Sequence, residues 1–164
     1  MEMCESVRTS KRVKGFTLIE VMIAVAIVAI LAAVAFPTFL DAFRKGRRAE
    51  AFAALNAVQL AQERWRANNP TYSNQLTNAA TATPPGLGLP ASSPSGYYGV
   101  ALSNVTATAY TVQATAVNGT SQANDLRCKV LGARVAGGNI QRGSAQSSID
   151  WSVTNADSGN CWAR

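Results

Sequence analysis

There is no histidine anywhere in the 164 residues. Its absence removes the commonest acid/base group at neutral pH and the commonest metal ligand. Acids are few as well, 9 against 15 lysines and arginines, and they are scattered along the chain. No glycine-rich phosphate loop and no zinc-type cysteine spacing occurs, so nothing assembles a catalytic set. An enzyme is not expected, nor is a cofactor or a metal site. Asn155-Ala156-Asp157-Ser158-Gly159 partly matches a calcium loop, but the glutamate such a loop needs later is missing, and a surface turn is the plainer reading. The net charge of +6 is mildly basic and argues only weakly for a nucleic-acid partner. Aromatics make up 7% of the chain, and five of the six prolines fall between Pro70 and Pro94.

Charge is missing most completely from Phe16 to Phe36, where Thr17 and Glu20 are the two polar residues among 21. As a helix the run is about 31 Å long, close to the thickness of a bilayer's hydrocarbon core. A membrane segment followed by a soluble domain is the first inference. A secretory signal is the alternative, with a small-residue cleavage site at Ala33-Val34-Ala35. The run is longer than the ~7–15 residues usual for such signals, it contains a carboxylate, and helical patterning continues beyond it.

A charge at a helix centre in a membrane costs about 2.5–3.5 kcal/mol on insertion scales, less near the interface. No lysine or arginine lies between Lys14 and Arg44 to pair with Glu20. A cut between Gly15 and Phe16 would create a cation, the new α-amino group of Phe16. Lys14-Gly15-Phe16-Thr17-Leu18-Ile19-Glu20, followed by Val21-Met22-Ile23-Ala24-Val25-Ala26, resembles the class III signal of type IV pilins and pseudopilins. That resemblance implies a prepilin peptidase/methylase cutting after Gly15 and methylating Phe16. It also implies a role for Glu20 in assembly, neutralising the terminal amine of a neighbouring subunit. The partners implied are other pilin subunits, an inner-membrane assembly platform and, before assembly, the membrane itself. Four basic residues precede the span and four follow it closely, so charge asymmetry does not orient it. The resemblance does, with the N-terminus cytoplasmic and the mature subunit in an extracellular pilus.

The implied organisation is a leader at 1–15, a transmembrane and filament-core helix at 16–36, and an amphipathic helix at 37–68. A variable loop follows at 69–96, then a sheet with a disulfide-bounded C-terminal region at 97–164. The fold class is α+β, the pilin fold, with a long N-terminal helix on an antiparallel sheet. Pro37 would kink or locally melt the helix. Ala51, Leu55, Val58, Gln62 and Trp65 form a stripe at helical spacing. The cluster Arg44 to Arg48 reads as a collar at the lipid headgroups, or as a set that pairs with Asp41 or Glu50 of neighbouring subunits.

Tyr98, Val100 and Leu102 alternate with smaller residues, as do Tyr110, Val112, Ala114 and Ala116. Asn118-Gly119 suggests a hairpin turn, and Leu126 to Val135 a further strand ended by Gly137-Gly138-Asn139. One-sided alternation suits a sheet with one face on the helix. Cys4 precedes the span, whereas Cys128 and Cys161 follow it. If the span separates a reducing from an oxidising compartment, the latter two can pair, and the resemblance implies the same closure. The chain-entropy model gives such a closure about 3.7 kcal/mol. Arg47-Arg48-Ala49-Glu50-Ala51, Gly96-Tyr97-Tyr98 and Cys161-Trp162 look most like type IVa minor pilins. Two alternatives stay open. One is a tip subunit binding DNA or a surface through Arg127, Lys129, Arg134, Arg142 and Arg164. The other is a secretion pseudopilin, against which the weak calcium loop and the distal cysteines both weigh.

If processing requires a minimal residue at position 15, Gly15→Ala slows conversion to the mature form modestly and Gly15→Leu blocks it. Immunoblotting of pulse-labelled cells reads this directly, and normal processing of Gly15→Leu contradicts it.

Overall fold

A computed structural model describes residues 15–162. Positions 1–14, with Cys4 and most of the expected leader, lie outside the described residues, as do Ala163 and Arg164. The chain divides into two compact units, one ending at Leu40 and one beginning at Asp41.

Helix α1 runs from Leu18 to Arg66. Its start is set by Thr17, whose Oγ1 accepts the Glu20 N–H at 3.3 Å. This is the first half of a capping box, with Thr17 at the cap and Glu20 three residues on. An acid in the first turn also suits the positive end of the helix dipole. The helix is assigned without a break through position 37, so the expected local melting at Pro37 does not occur. A proline removes one rung of the ladder, and the flanking rungs remain. Every residue from Phe16 to Phe36 is exposed. The helix is long and apolar enough to cross a membrane by length and composition.

At the other end, the helix stops two residues short of the expected Asn68. Asn69 donates from Nδ2 to the Trp65 carbonyl at 2.9 Å and occupies one of the orphan acceptors there. Arg64 and Arg66 lie in the last turn, where cations complement the dipole.

In the second unit, Ala51, Leu55, Val58 and Gln62 of α1 are fully buried, so the stripe is the core face. Gln62 has a specific reason to be polar. Its Nε2 donates to the Ser73 carbonyl at 2.7 Å and its Oε1 accepts the Ser73 N–H at 2.9 Å. The amide thus pairs with loop backbone as a strand would and pins the loop to the helix.

Four strands form one antiparallel sheet in sequence order: β1 (Tyr98–Ser103), β2 (Ala109–Ala116), β3 (Val130–Ala136) and β4 (Asn139–Ala145). Tyr98 faces Ala116, Val112 faces Ala133, and Leu131 faces Ser144. The helix-facing side carries Tyr98, Val100, Tyr110, Val112, Ala114, Leu131 and Val135, all in one core cluster with Leu55 and Val58.

Three features differ from the sequence reading. Asn118-Gly119 does not close a hairpin; residues 117–129 make a longer connection containing a short 3-10 helix, Ser121–Asn124. β3 begins at Val130, leaving Cys128 just before it. The two-residue turn is Gly137-Gly138, both at positive φ (56° and 82°), and it leads into an unexpected strand, β4.

The sheet's outer face is also covered in part. Gly132 and Gly143 are cross-strand partners there, and Ile149 of the C-terminal segment sits over both. A Cβ on Gly143 would lie 2.4 Å from Ile149 Cγ2, and one on Gly132 would lie 2.9 Å from Ile149 Cδ1. The glycines make the slot, and Val130, Ala145, Ala156 and Trp151 complete a second small core. Both sheet edges are occupied as well. Ser92 bridges to Gly99 beside β1, and Asp157 bridges to Ser144 beside β4.

Gly143→Ala should lower stability by about 1–3 kcal/mol through overpacking. Ile149→Ala in the same chain should recover part of that loss. Thermal unfolding of the two variants and their combination tests the slot, and simple additivity contradicts it.

Candidate functional site

The sequence points to two places, one in each unit. At the start of α1, Gly15, Phe16 and Glu20 are all exposed, with Phe16 81% accessible. A Cβ built on Gly15 meets nothing within 4 Å. The fold therefore makes no demand for glycine there, and any requirement comes from whatever handles this segment. Glu20 lies on an otherwise apolar, exposed stretch of α1, and among the described residues its carboxylate has no ion-pair partner.

In the second unit, Cys128 and Cys161 form a disulfide with Cα atoms 5.9 Å apart, and both are buried. The bond fastens the C-terminal segment beside the connection that precedes β3. Asp157 organises the loop before Cys161. Its carboxylate accepts from the Ser144 hydroxyl, from the Cys161 N–H at 3.0 Å and from the Trp162 N–H at 3.3 Å. The stretch resembling a calcium loop thus uses its central acid on protein donors.

A buried polar network joins this region to the helix. Arg48 donates from Nε and Nη2 to Asp125 at 2.7 and 2.9 Å, a two-pronged pair between side chains 17% and 3% exposed. Asp125 also accepts from Gln122 Nε2 at 2.9 Å and the Cys128 N–H at 3.3 Å. Gln122 Nε2 reaches the Tyr98 hydroxyl at 2.8 Å, and that hydroxyl donates to the Cys128 carbonyl at 3.2 Å. Burial, reinforced by the Asp125 charge, pushes Tyr98 up to about 12 despite the Gln122 hydrogen bond and Arg48. It therefore stays a neutral donor at ordinary pH.

Three of the cluster's four cations, Arg44, Arg47 and Arg48, are thus held by partners within the chain. Arg44 pairs with Asp41 at 3.0 Å within the helix. Arg47 bonds Ser121 and stacks 4.0 Å from the Tyr97 ring centroid. Glu50 accepts from the hydroxyl and N–H of Ser95 at 2.8 and 3.1 Å, which holds its carboxyl below the usual range.

Nor do the basic residues proposed for DNA share one face. Arg134 is paired with Gln141, so Arg142 points to the opposite side of the sheet. Arg127 donates to the Gly159 carbonyl at 3.0 Å and Arg134 to the Trp151 carbonyl at 3.4 Å. Arg164 lies outside the described residues. Asp125 and Gln122 were not visible as partners from the sequence, because Arg48 lies 77 positions from Asp125. A cleft of about 730 Å³ opens between Lys45, Arg48 and Phe52 on α1 and Asn155, Asn160 and Trp162.

Residues 37–132 match the family model for the type IV minor pilin ComP, DNA uptake sequence receptor. Residues 10–36 match the prokaryotic N-terminal methylation motif. The chain is 40% identical over 72 residues to the type IV major pilin protein PilE1 of Neisseria gonorrhoeae, covering 44% of each protein. It is 42% identical over 67 residues to the type IV major pilin protein PilA of Myxococcus xanthus, covering 41% of this chain and 30% of that one. With the type IV wide pilus major component PilA4 of Thermus thermophilus it shares 44% identity over 66 residues, covering 40% and 50%. These matches span half the relatives' length or less.

Removing one partner of a buried ion pair is expected to destabilise by about 3–5 kcal/mol. Asp125→Ala and Arg48→Ala should each approach that loss, with the double variant well short of their sum. Urea unfolding measures the cycle, and additive losses contradict the coupling.

Proposed function

Since the chain belongs to the type IV minor pilin family, we propose that it is a structural subunit of a type IV pilus, made as a membrane-anchored precursor. The leader ends at Gly15. A prepilin peptidase cuts there on the cytoplasmic side, and Phe16 becomes the methylated N-terminus. The apolar stretch of α1 first holds the subunit in the inner membrane and then enters the filament core. The observation that carries this reading is the register of Gly15, Phe16 and Glu20 at the head of an exposed apolar helix. Glu20 is the recruiting group. In the apolar surroundings of a bilayer or filament core its carboxylate needs a cation, and the Phe16 amine of a neighbour supplies one. The head, fastened by its disulfide, acts through contacts in pilus biogenesis, adhesion, twitching motility or DNA uptake and performs no catalysis.

DNA binding is a second reading, supported by the description of the matching family. Its weight rests on that description, because the candidate arginines divide between two faces of the sheet and two of them hold backbone carbonyls.

Two outcomes test these readings. Glu20→Ala should leave the subunit stable and processed but deplete it at least about tenfold from sheared filaments, on the scale of losing one buried charge interaction; equal incorporation contradicts the assembly role. A mobility-shift titration of the chain against duplex DNA should weaken steeply with salt if phosphates are held, and no shift at low salt ends the DNA reading.

A further inference from the structure

Five charged residues lie between Arg44 and Glu50, and four are held within the second unit or their own helix turn by the contacts given above. Lys45 is the exception. It is exposed, and among the described residues its ammonium has no hydrogen-bond or ion-pair partner. Lys45, Arg48 and Phe52 follow at spacings of three and four, which places them on one face of α1 and along one wall of the cleft of about 730 Å³.

The other groups around that cleft favour an anion. Asp157 is the acid in the lining, and its oxygens already accept three protein donors. Asn155 uses Oδ1 to accept the Asp157 N–H at 3.1 Å, which leaves its NH₂ as the group with hydrogen bonds to give. Arg48 commits Nε and Nη2 to Asp125 and retains Nη1. The rings of Phe52 and Trp162, centroids 4.7 Å apart, supply an apolar surface beside these donors. Arg142 stands 5.3 Å from the Trp162 ring and adds positive potential.

Location selects among anions. The exposed apolar side chains of α1 run up to Phe43, two residues before Lys45. A lysine just past a membrane-embedded stretch belongs at the headgroup layer. We propose that this cleft binds the phosphate of an anionic phospholipid headgroup while the subunit resides in the membrane. The proposal rests on the anchored precursor stage described above. Lys45 and Arg48 Nη1 contact the phosphate oxygens, Asn155 and Asn160 donate to the remaining oxygens or to a polar headgroup, and the aromatic pair borders the glycerol and upper acyl carbons. A nucleic-acid phosphate has the same chemistry, but one free ammonium makes a single-phosphate site, whereas a DNA backbone calls for a basic stripe.

The full chain reconstituted in nanodiscs, either of phosphatidylglycerol and phosphatidylcholine or of phosphatidylcholine alone, tests this. Resistance to alkaline extraction reports insertion, and so the anchor. Lipids retained after gentle detergent release, counted by native mass spectrometry, report the cleft. Phosphatidylglycerol should be retained in preference to phosphatidylcholine. Lys45→Gln should reduce that retention about fivefold, the effect of one basic side chain at an anionic surface, while Lys45→Arg keeps most of it. Insertion should be the same for all three. Inserted chain that retains both lipids equally, or retention unchanged by Lys45→Gln, overturns the proposal. So does a Lys45-dependent shift of duplex DNA without selective lipid retention.

Discussion

The apolar stretch of α1 cannot satisfy itself. From Phe16 to Phe36 every residue is exposed. Water is the wrong solvent for that surface, so a bilayer or the helices of other subunits must take its place. Most of the molecule's organisation answers this constraint. Thr17 and Glu20 begin the helix in a way that satisfies an orphan N–H without help from outside. Glu20 then leaves one charge where a bilayer or a packed helix bundle tolerates it only with a partner. An unsatisfied surface together with an unsatisfied charge specifies assembly more narrowly than either alone.

The head answers the opposite problem, that of holding a small four-stranded sheet to a helix with few large residues in the core. Alanine fills many of the buried positions, and the polar network compensates by fixing geometry. Arg48 on α1 reaches Asp125, which orders Gln122, Tyr98 and the backbone at Cys128. The disulfide extends the same tie to the C-terminal segment, and Ile149 locks that segment over paired glycines. A buried ion pair adds little net stability compared with apolar packing, but losing half of it is severe, and that asymmetry favours one register of the connection over its alternatives.

Much of this was legible in the residues. The helical stripe and first two strands rest on periodicity and could be read directly, and the methylation motif matched at residues 10–36 covers the segment that local spacing marked. β4 could not, because Asn139-Ile140-Gln141-Arg142-Gly143-Ser144-Ala145 is polar and glycine-bearing; its burial comes from a tail whose path is set by Asp157 and the disulfide. Asn118-Gly119 misled because turn chemistry is local, whereas the connection is lengthened to bring Gln122 and Asp125 under Arg48. The partners of Arg47 and Arg48 could not be read for the same reason, since Ser121 and Asp125 are more than seventy residues away. Gly132 and Gly143 did carry a signal, because glycine inside a strand often marks a close approach.

The anchored, processed and assembled subunit is one claim, and a single mass decides it. Subunits should be recovered from sheared extracellular filaments and measured intact with the disulfide preserved. The account predicts a chain beginning at Phe16, heavier by the net CH₂ of one N-methylation and lighter by the two hydrogens of the Cys128–Cys161 bond. A chain in the filament that retains residues before Phe16, or one cut after Ala35, contradicts it.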